Sequence, residues 1–140
     1  MARTVQVVVD CADPAALAEF WADALGYTLQ PPPEGYGSWP DWLTAVGIPE
    51  DQWNSRSAVI DPDGVGPRIF FQQVPEPKTG KNRLHLDVRV GGRADDARAR
   101  IDAEVSRLEG RGASRAWVVD DQLEYCVVMR DPEGNEFCVT

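Results

Sequence analysis

The feature that most constrains the fold is an order of elements that occurs twice. In the first copy, Val5 to Asp10 favours a strand by its β-branched side chains. Asp13-Pro14 follows and is typical of a helix start, because aspartate caps a helix and proline fits its first turn. In the second copy, Arg83 to Val90 alternates with period two, and Asp95 or Asp96 can cap a following helix. A strand followed by a capped helix, occurring twice, indicates an internal duplication.

Each predicted helix has one apolar stripe and ends at glycine. The stripe of the first helix consists of Leu17, Phe20, Trp21, Ala24 and Leu25. The stripe of the second helix consists of Ala97, Ile101, Val105 and Leu108. Gly26 is expected to end the first helix in a left-handed conformation, and Gly110 and Gly112 to end the second. Helices with one apolar face bury that face, here against a sheet.

A second repeated feature is a D-P-x-G turn near the end of each copy. Asp61 to Gly64 precedes a predicted strand at Arg68 to Gln72, and Asp131 to Gly134 separates strands at Tyr125 to Met129 and Glu136 to Val139. Proline fixes φ at the second position of such a turn, and glycine accepts positive φ. Together with the strands and helices, the turns predict a βαβββ-like module in each half.

The modules are predicted at about residues 1–75 and 83–140, with residues 76–82 as a polar linker that carries proline and glycine. This linker is too short to separate two domains, so residues 1–140 are expected to form a single domain. A length of 140 residues is near the commonest size for one domain.

The first module holds an extra stretch at about residues 30–57. Pro31-Pro32-Pro33 opens it, and it contains three of the five tryptophans, Trp39, Trp42 and Trp53. Pro40 can begin a short helix that ends at Gly47. A long loop inside a compact domain is usually functional, and a disordered segment would be poor in aromatic residues. We therefore expect an ordered flap over a cavity.

The charge balance excludes several classes of partner. The chain has 14 Lys+Arg and 23 Asp+Glu, which gives a formal net charge of −9. Such a charge repels phosphate backbones and anionic lipids, and the sequence has no basic stripe to offset it. Neither a membrane span of about 20 apolar residues nor a secretory signal is present. No nucleic acid or membrane is expected as a partner, and the expected location is the cytoplasm.

The histidine and cysteine counts restrict metal chemistry. His85 is the only histidine, so a site that needs two or three imidazoles from one subunit cannot form. Cys11, Cys126 and Cys138 are an odd number without C-x-x-C spacing, which favours reduced, partly buried thiols over a disulfide framework or a zinc knuckle.

The sequence resembles the vicinal oxygen chelate superfamily in four features. These are the paired units, the capped helix at Asp13 to Gly26, the K-N-R-L-H-L-D run at Lys81 to Asp87 and the D-P-E-G-N-E-F turn at Asp131 to Phe137. The similarity is greatest to its glyoxalase-like, bleomycin-resistance-type branch and covers nearly the whole chain. It implies an α+β fold in which two tandem βαβββ modules form a cup-shaped cavity, often completed by a second subunit. A homodimer is therefore expected, and exposed strand edges favour one too.

The resemblance also implies four positions at which metal-using members of the superfamily place their ligands. Here these positions become Gln6, Gln72, His85 and Cys138, with extra residues after Gly64 loosening the alignment of Gln72. Catalytic members have carboxylates in such a set, and this chain has none there. Glutamine is a weak neutral ligand, so no catalytic metal is expected, and a divalent ion held by these four residues stays open as the alternative.

His85 has two interpretations. It shares a strand face with Arg83 and Asp87, because side chains two residues apart point the same way. It is either a structural histidine paired with Asp87 or an acid–base group whose pKa the carboxylate adjusts. In the duplicated fold, Gln6 and His85 would be equivalent positions that line one pocket.

These observations lead to one preferred function and two alternatives. The preferred function is binding of an aromatic or cationic metabolite or antibiotic without catalytic metal, through the flap tryptophans and the polar residues Gln6, Gln72, His85, Cys138, Arg83 and Asp87. One alternative is a lyase or isomerase that acts on a small oxygenated substrate with His85 as acid–base; the other is a structural domain without ligand. The sequence leaves open whether the protein is an enzyme.

Overall fold

The computed structural model describes residues 1–92 and 95–140. Within these residues the chain divides into two compact units, Met1–Pro77 and Lys78–Thr140. Each unit contains one four-stranded sheet and its own long helix. None of the described helices has the length and apolar character that a membrane span requires.

The first unit consists of β1 (Val7–Cys11), α1 (Pro14–Leu25), β2 (Thr28–Leu29), α2 (Trp39–Ala45), a short 3-10 helix (Glu50–Gln52), β3 (Arg56–Ile60) and β4 (Ile69–Gln73). The strand order in its sheet is β1-β4-β3-β2. β1 pairs with β4 in parallel, and the remaining neighbours pair antiparallel.

The second unit consists of β5 (Asp87–Val88), α3 (Ala97–Glu109), β6 (Ser114–Asp120), β7 (Tyr125–Arg130) and β8 (Glu136–Val139). Its sheet has the order β5-β8-β7-β6, again with a parallel first pair. Both units therefore share one strand order and one chain direction, and the predicted α+β fold with a βαβββ order in each half is confirmed.

Helix α1 follows the sequence prediction closely. The Asp13 carboxylate accepts a hydrogen bond from the Ala16 amide at 3.2 Å, and Gly26 ends the helix with φ +68°. Four of the five predicted stripe residues are buried, among them Leu17 and Trp21, and α1 packs on β3 and β4. The apolar face of the helix thus forms the core of the first unit.

Helix α3 differs at both ends. Asp96 occupies the cap position, but its carboxylate makes no capping bond and pairs with Arg100 at 2.9 Å. Gly110 is right-handed, and the glycine with positive φ is Gly112, at +107°. Ile101, Val105 and Leu108 are buried as expected. The packing face was predictable, whereas the capping chemistry was not.

The two D-P-x-G segments form the same turn. Asp61 and Asp131 each accept backbone hydrogen bonds from residues two and four positions later, at 2.9 to 3.0 Å. Gly64 and Gly134 have φ of +68° and +87°, values that favour glycine. A side-chain acceptor at the first position explains why aspartate begins both turns.

Three predicted boundaries need correction. Only Asp87–Val88 of the expected strand Arg83 to Val90 is regular, because this edge strand pairs solely with the four residues of β8. The first strand lies at Val7–Cys11 rather than Val5 to Asp10. The flap ends before residue 56, since residues 56–57 already belong to β3.

The linker expected at residues 76–82 belongs mostly with the second unit. Glu136, only 8% exposed, accepts a hydrogen bond from the Asn82 amide at 3.0 Å and forms an ion pair with Lys78 at 3.1 Å. These contacts attach the segment to β8, which accounts for the division between Pro77 and Lys78. The expectation that residues 1–140 behave as one domain stays a prediction.

Candidate functional site

A cavity of about 600 Å³ lies in the first unit, between the sheet and the flap. Its floor includes Phe70 of β4 and Ala58 of β3, which are direct cross-strand partners. Trp39, Trp42 and Trp53 of the flap line it from the other side. The size is typical of a small-molecule pocket, and these three tryptophans line it; that they bind a ligand stays a prediction.

The flap is ordered by caps and by tryptophan hydrogen bonds. The Ser38 hydroxyl accepts from the Asp41 amide at the start of α2, and the helix ends before Gly47, as predicted. The Trp39 indole N–H donates to the Gln30 carbonyl at 2.8 Å, and the Trp53 indole N–H donates to the Ile48 carbonyl at 3.0 Å. These bonds fix two of the three rings by their polar edges.

The three rings present apolar surface to the cavity. Trp39 and Trp42 are perpendicular, with centroids 5.6 Å apart. Edge-to-face pairs are a favourable aromatic arrangement, and a rigid ring loses little freedom when a ligand binds. The flap is therefore a preformed aromatic wall.

Asn54 attaches the far end of the flap to α1. Its side chain donates to the Asp13 carboxylate at 2.8 Å and accepts from the Ala15 amide at 2.8 Å. The hydrogen bond from Asn54, with backbone bonds from the helix, lowers the pKa of Asp13. The residue that caps α1 thus also holds the wall of the cavity.

Two arginines line the cavity. Arg68 donates to the Gln30 side chain at 2.6 Å and to the Gln6 side chain at 2.5 Å, and its guanidinium lies 5.2 Å from the Phe70 ring centre. These partners are neutral, so they leave the positive charge uncompensated. Arg56 makes no ion pair or side-chain hydrogen bond with any residue in the described ranges.

The lining carries no carboxylate in the part of the chain that the structure describes. The acidic residues that flank the flap aromatics are all exposed and lie outside the lining; they are Glu34, Asp41, Glu50 and Asp51. The negative net charge of the chain is therefore absent from the cavity wall. The polar chemistry of the cavity comes from guanidinium, amide and hydroxyl groups.

A separate polar group lies in the second unit. His85 Nε2 is 3.4 Å from the Asp87 carboxylate, and both side chains are about half exposed, at 44% and 50%. Asp87 is paired in register with Cys138, and ligand atoms of the three residues lie within 4.8 Å of one another. The sequence predicted the contact between His85 and Asp87, but not that Asp87 would lie next to Cys138.

The thiols of this unit are protonated. Burial, with the neighbouring thiol and Asp87, raises the pKa of Cys138 to about 12. Burial also raises the pKa of Cys126, beside it on β7. All three cysteines of the chain are buried, and none of them forms a disulfide. A protonated thiol is a poor nucleophile.

His85, Asp87 and Cys138 are a donor set that fits zinc when the metal displaces the thiol proton of Cys138. Imidazole, carboxylate and thiolate are its usual ligands, and ligand atoms around a tetrahedral zinc are about 3.3–3.8 Å apart. Small side-chain movements would bring the three atoms from 4.8 Å to that spacing. Three protein ligands would leave one position open. Asp87 supplies the carboxylate that the set expected from the resemblance lacked.

Gln6 and Gln72 are in different surroundings. Gln6 is exposed and bonded to Arg68, and Gln72 is exposed and paired in register with Asp10, four residues along from Gln6. In the second unit Cys138 is paired only two residues along from His85. Phe70 follows Gly64 by six residues and Cys138 follows Gly134 by four, so the insertion after Gly64 is two residues long, whereas an equivalence of Gln72 would require four. The register places Phe70, not Gln72, at the position equivalent to Cys138.

Arg83 is exposed, and the proposal that it, Gln6 and Gln72 bind a ligand stays a prediction. Sequence reasoning did not single out Arg56, Arg68, Gln30 and Asn54 as residues that line the cavity, although three of them lie within the predicted flap. A signal for the arginines was available: Arg56 and Ala58 alternate on one strand face, and Arg68 and Phe70 on the next. No sequence signal pointed to Asn54, because its partner Asp13 is 41 residues away.

A family model described as a glyoxalase-like domain matches residues 6–140. Among solved structures, a glyoxalase/bleomycin resistance protein/dioxygenase family enzyme from Burkholderia phytofirmans PsJN is 16% identical, with TM-score 0.65 over 99% of this chain and 97% of that chain. No curated protein matches in sequence.

Two further structural relatives have descriptions that name a small molecule. The fosfomycin resistance protein FosX from Mesorhizobium loti is 9% identical, with TM-score 0.63 over 99% of this chain and 90% of that chain. A bleomycin-binding protein from Streptomyces verticillus, complexed with copper(II)-bleomycin, is 15% identical, with TM-score 0.55 over 100% of this chain and 96% of that chain. Identities this low establish a common fold and leave the ligand open.

Proposed function

The chain belongs to the glyoxalase-like domain family, and from that premise we propose that it is a small-molecule-binding protein whose flap cavity sequesters an aromatic ligand without catalytic metal. The observation that carries this proposal is the cavity of about 600 Å³ lined by Trp39, Trp42, Trp53 and Phe70. Flat aromatic ligands gain both apolar burial and ring stacking in such a site.

The aromatic part of the expected ligand is supported better than the cationic part. The tryptophan ring faces can attract a cation, but the two guanidinium groups of the described lining would repel it and no lining carboxylate offsets them. The relatives whose descriptions name bleomycin and fosfomycin support a small-molecule role for this fold, although they do not identify the ligand here. A cytoplasmic location and a homodimer remain parts of the proposal.

The test uses a neutral aromatic probe, 2-naphthamide, and isothermal titration calorimetry. We expect Trp42→Ala to weaken binding about tenfold, since a stacking ring contributes about 1–3 kcal/mol. Trp117→Ala is the matched control, because Trp117 lies in β6 of the second unit and does not line the cavity. His85→Ala should keep most of the affinity. Unchanged binding in Trp42→Ala would contradict the proposal.

A second candidate function rests on the group formed by His85, Asp87 and Cys138. It is the lyase or isomerase alternative, in which the His85 imidazole moves a proton at Nδ1 while Asp87, 3.4 Å from Nε2, stabilises the protonated ring. A zinc ion held by the three residues would polarise a substrate oxygen. The half-exposed side chains leave room for a small oxygenated substrate.

Metal analysis of protein purified without added ions separates the two candidates. Sequestration without metal predicts substoichiometric zinc, nickel and iron. Stoichiometric metal that is lost in Cys138→Ser would favour the enzyme. In that case His85→Ala should lower the rate about 10²–10⁴-fold while Trp42→Ala leaves the metal content unchanged.

A further inference from the structure

Resting on the proposed function of the flap cavity, we propose that its ligand is a planar aromatic acid, whose carboxylate is bound by Arg56 and Arg68. The inference concerns the charge of the ligand, which the family fold leaves open. It follows from which polar groups line the cavity and which of them already have partners.

The arginines flank an aromatic floor. Arg56 and Ala58 lie two residues apart in β3, and Arg68 and Phe70 are likewise two residues apart at the start of β4. Because Ala58 and Phe70 are cross-strand partners, strand alternation places all four side chains on one face of the sheet. The backbones of the two arginines therefore lie at opposite ends of the Ala58–Phe70 pair, and both side chains line the same cavity.

Both guanidiniums have N–H groups that donate no hydrogen bond to any described residue. Arg68 uses its Nε and one terminal nitrogen on the side chains of Gln30 and Gln6, which orient the group and leave its second terminal nitrogen without a bond to any described residue. Arg56 has none of its donors engaged within the described residues. A guanidinium binds carboxylates through two parallel hydrogen bonds, a geometry that a neutral ligand group does not reproduce.

Some arginines outside the cavity have a carboxylate partner, whereas others, such as Arg83, Arg89 and Arg130, have none among the described residues. Arg98, Arg107 and Arg115 each pair with a carboxylate at 2.7 to 3.1 Å. In a chain with 23 acidic residues and 14 basic ones, nearby carboxylates are plentiful. Arg56 and Arg68 differ from the unpaired surface arginines because both line one cavity whose described lining has no carboxylate, so they form a local positive site that complements an anion.

The remaining lining residues indicate the shape and polarity of the rest of the ligand. Trp39, Trp42, Trp53 and Phe70 require a flat apolar body, and a cavity of about 600 Å³ accommodates one or two fused rings with short substituents. An aliphatic acid would fill the cavity without using the ring faces, and an aromatic amine would meet like charge at Arg56 and Arg68. An aromatic carboxylate satisfies both features.

The experiment compares three probes of nearly equal shape by calorimetry: 2-naphthoate, 2-naphthamide and 2-naphthylmethylammonium. We expect the anion to bind about tenfold tighter than the amide and the cation to bind weakest, since one charge-assisted pair in a partly exposed site is worth about a factor of ten. The net charge of −9 acts against this order, so a preference for the anion would have to arise locally.

Arg56→Gln tests the local origin. It should weaken 2-naphthoate binding about tenfold and 2-naphthamide binding much less, because the amide loses a neutral hydrogen bond and no charge pair, and it removes no contact on which the fold depends. Arg130→Gln is the control, because it makes the same change in net charge on an exposed residue of β7 that does not line the cavity. Arg68→Lys keeps the positive charge but loses the two parallel hydrogen bonds that a guanidinium can donate to a carboxylate, so it should lower the preference for the anion.

The outcomes separate the two levels of the proposal. Equal binding of the three probes, or an equal effect of Arg56→Gln and Arg130→Gln on 2-naphthoate, would overturn the aromatic-acid inference and leave aromatic sequestration intact. Absence of binding for all three probes, including the amide, would count against the proposed function itself.

Discussion

Glu136 and Asp87 are carboxylates on neighbouring strands of the second unit, and their partners give them different roles. Glu136 is buried and is held by the Asn82 amide and the Lys78 ammonium. Asp87 is half exposed and faces His85. A buried carboxylate that is hydrogen-bonded and ion-paired within the protein has a structural role. A half-exposed carboxylate beside an imidazole can bind a ligand or an ion.

The first prediction concerns Glu136. The Asn82 amide bond, aided by Lys78, lowers the pKa of Glu136 from 4.5 to about 2, so its ionised form stabilises the fold above about pH 4.5. This contribution is lost as the pH falls through the folded-state pKa. Glu136→Gln should lower the free energy of unfolding by about 2–3 kcal/mol at pH 7, as measured by urea denaturation.

The difference between Glu136→Gln and wild type should shrink steadily from pH 4.5 to pH 2. Glu124→Gln is the control in the same unit, because Glu124 is exposed and should change stability by less than about 0.5 kcal/mol. A deficit in Glu136→Gln that stays constant down to pH 2 would show that lost packing, rather than the charge, is responsible.

At the scale of elements, the duplication repeats the order of the elements but not their chemistry. Asp13 and Asp96 occupy equivalent positions before α1 and α3. The Asp13 carboxylate caps its helix and also binds Asn54, whereas the Asp96 carboxylate pairs with Arg100 one turn along. Asp13 therefore stabilises both α1 and the flap. The Asp96 side chain does not cap α3 and, among the described residues, bonds only to Arg100.

The second prediction compares these two positions. Asp13→Ala should lower the free energy of unfolding by about 1–2 kcal/mol, because it leaves the Ala16 amide and the Asn54 side chain without their acceptor. Asp96→Ala removes only an exposed pair and should cost about 0.5 kcal/mol or less. Asp13→Asn, which can still cap, should lie between them. Equal losses at both positions, measured by urea denaturation, would refute the assigned capping roles.

The elements also show where sequence reasoning succeeds. Local signals predicted α1, α2 and both turns, because Asp-Pro, Pro40 and the positive-φ glycines act within a few residues of each other. Contacts between residues far apart in the sequence were harder to predict. The short β5, the register of Gln72 and the hydrogen bond from Asn54 to Asp13 each depend on residues 41 or more positions apart. The tryptophans of the site were predictable for the first reason. Arg56 and Arg68 also had a local signal in strand alternation, but their place in one cavity depends on the pairing of β3 with β4.

At the scale of the whole molecule, charge is distributed unevenly. The net charge is −9, yet the lining of the cavity has two arginines and no carboxylate among the described residues. The overall charge suggested a cationic ligand, and the wall of the cavity favours the opposite sign. Short-range groups decide the preference in such a case, because salt screens the charges outside the cavity over about 8–10 Å.

The last prediction tests whether the chain unfolds as one domain. Val59 in the first unit and Val127 in the second are both fully buried, so Val59→Ala and Val127→Ala should each cost about 2 kcal/mol. In a Trp117→Phe background the fluorescence reports only on the first unit, which holds the other four tryptophans. If residues 1–140 are a single cooperative domain, Val127→Ala must shift the fluorescence midpoint as much as Val59→Ala does, and circular dichroism must give the same midpoint. If Val127→Ala leaves the fluorescence midpoint unchanged, the two units unfold independently.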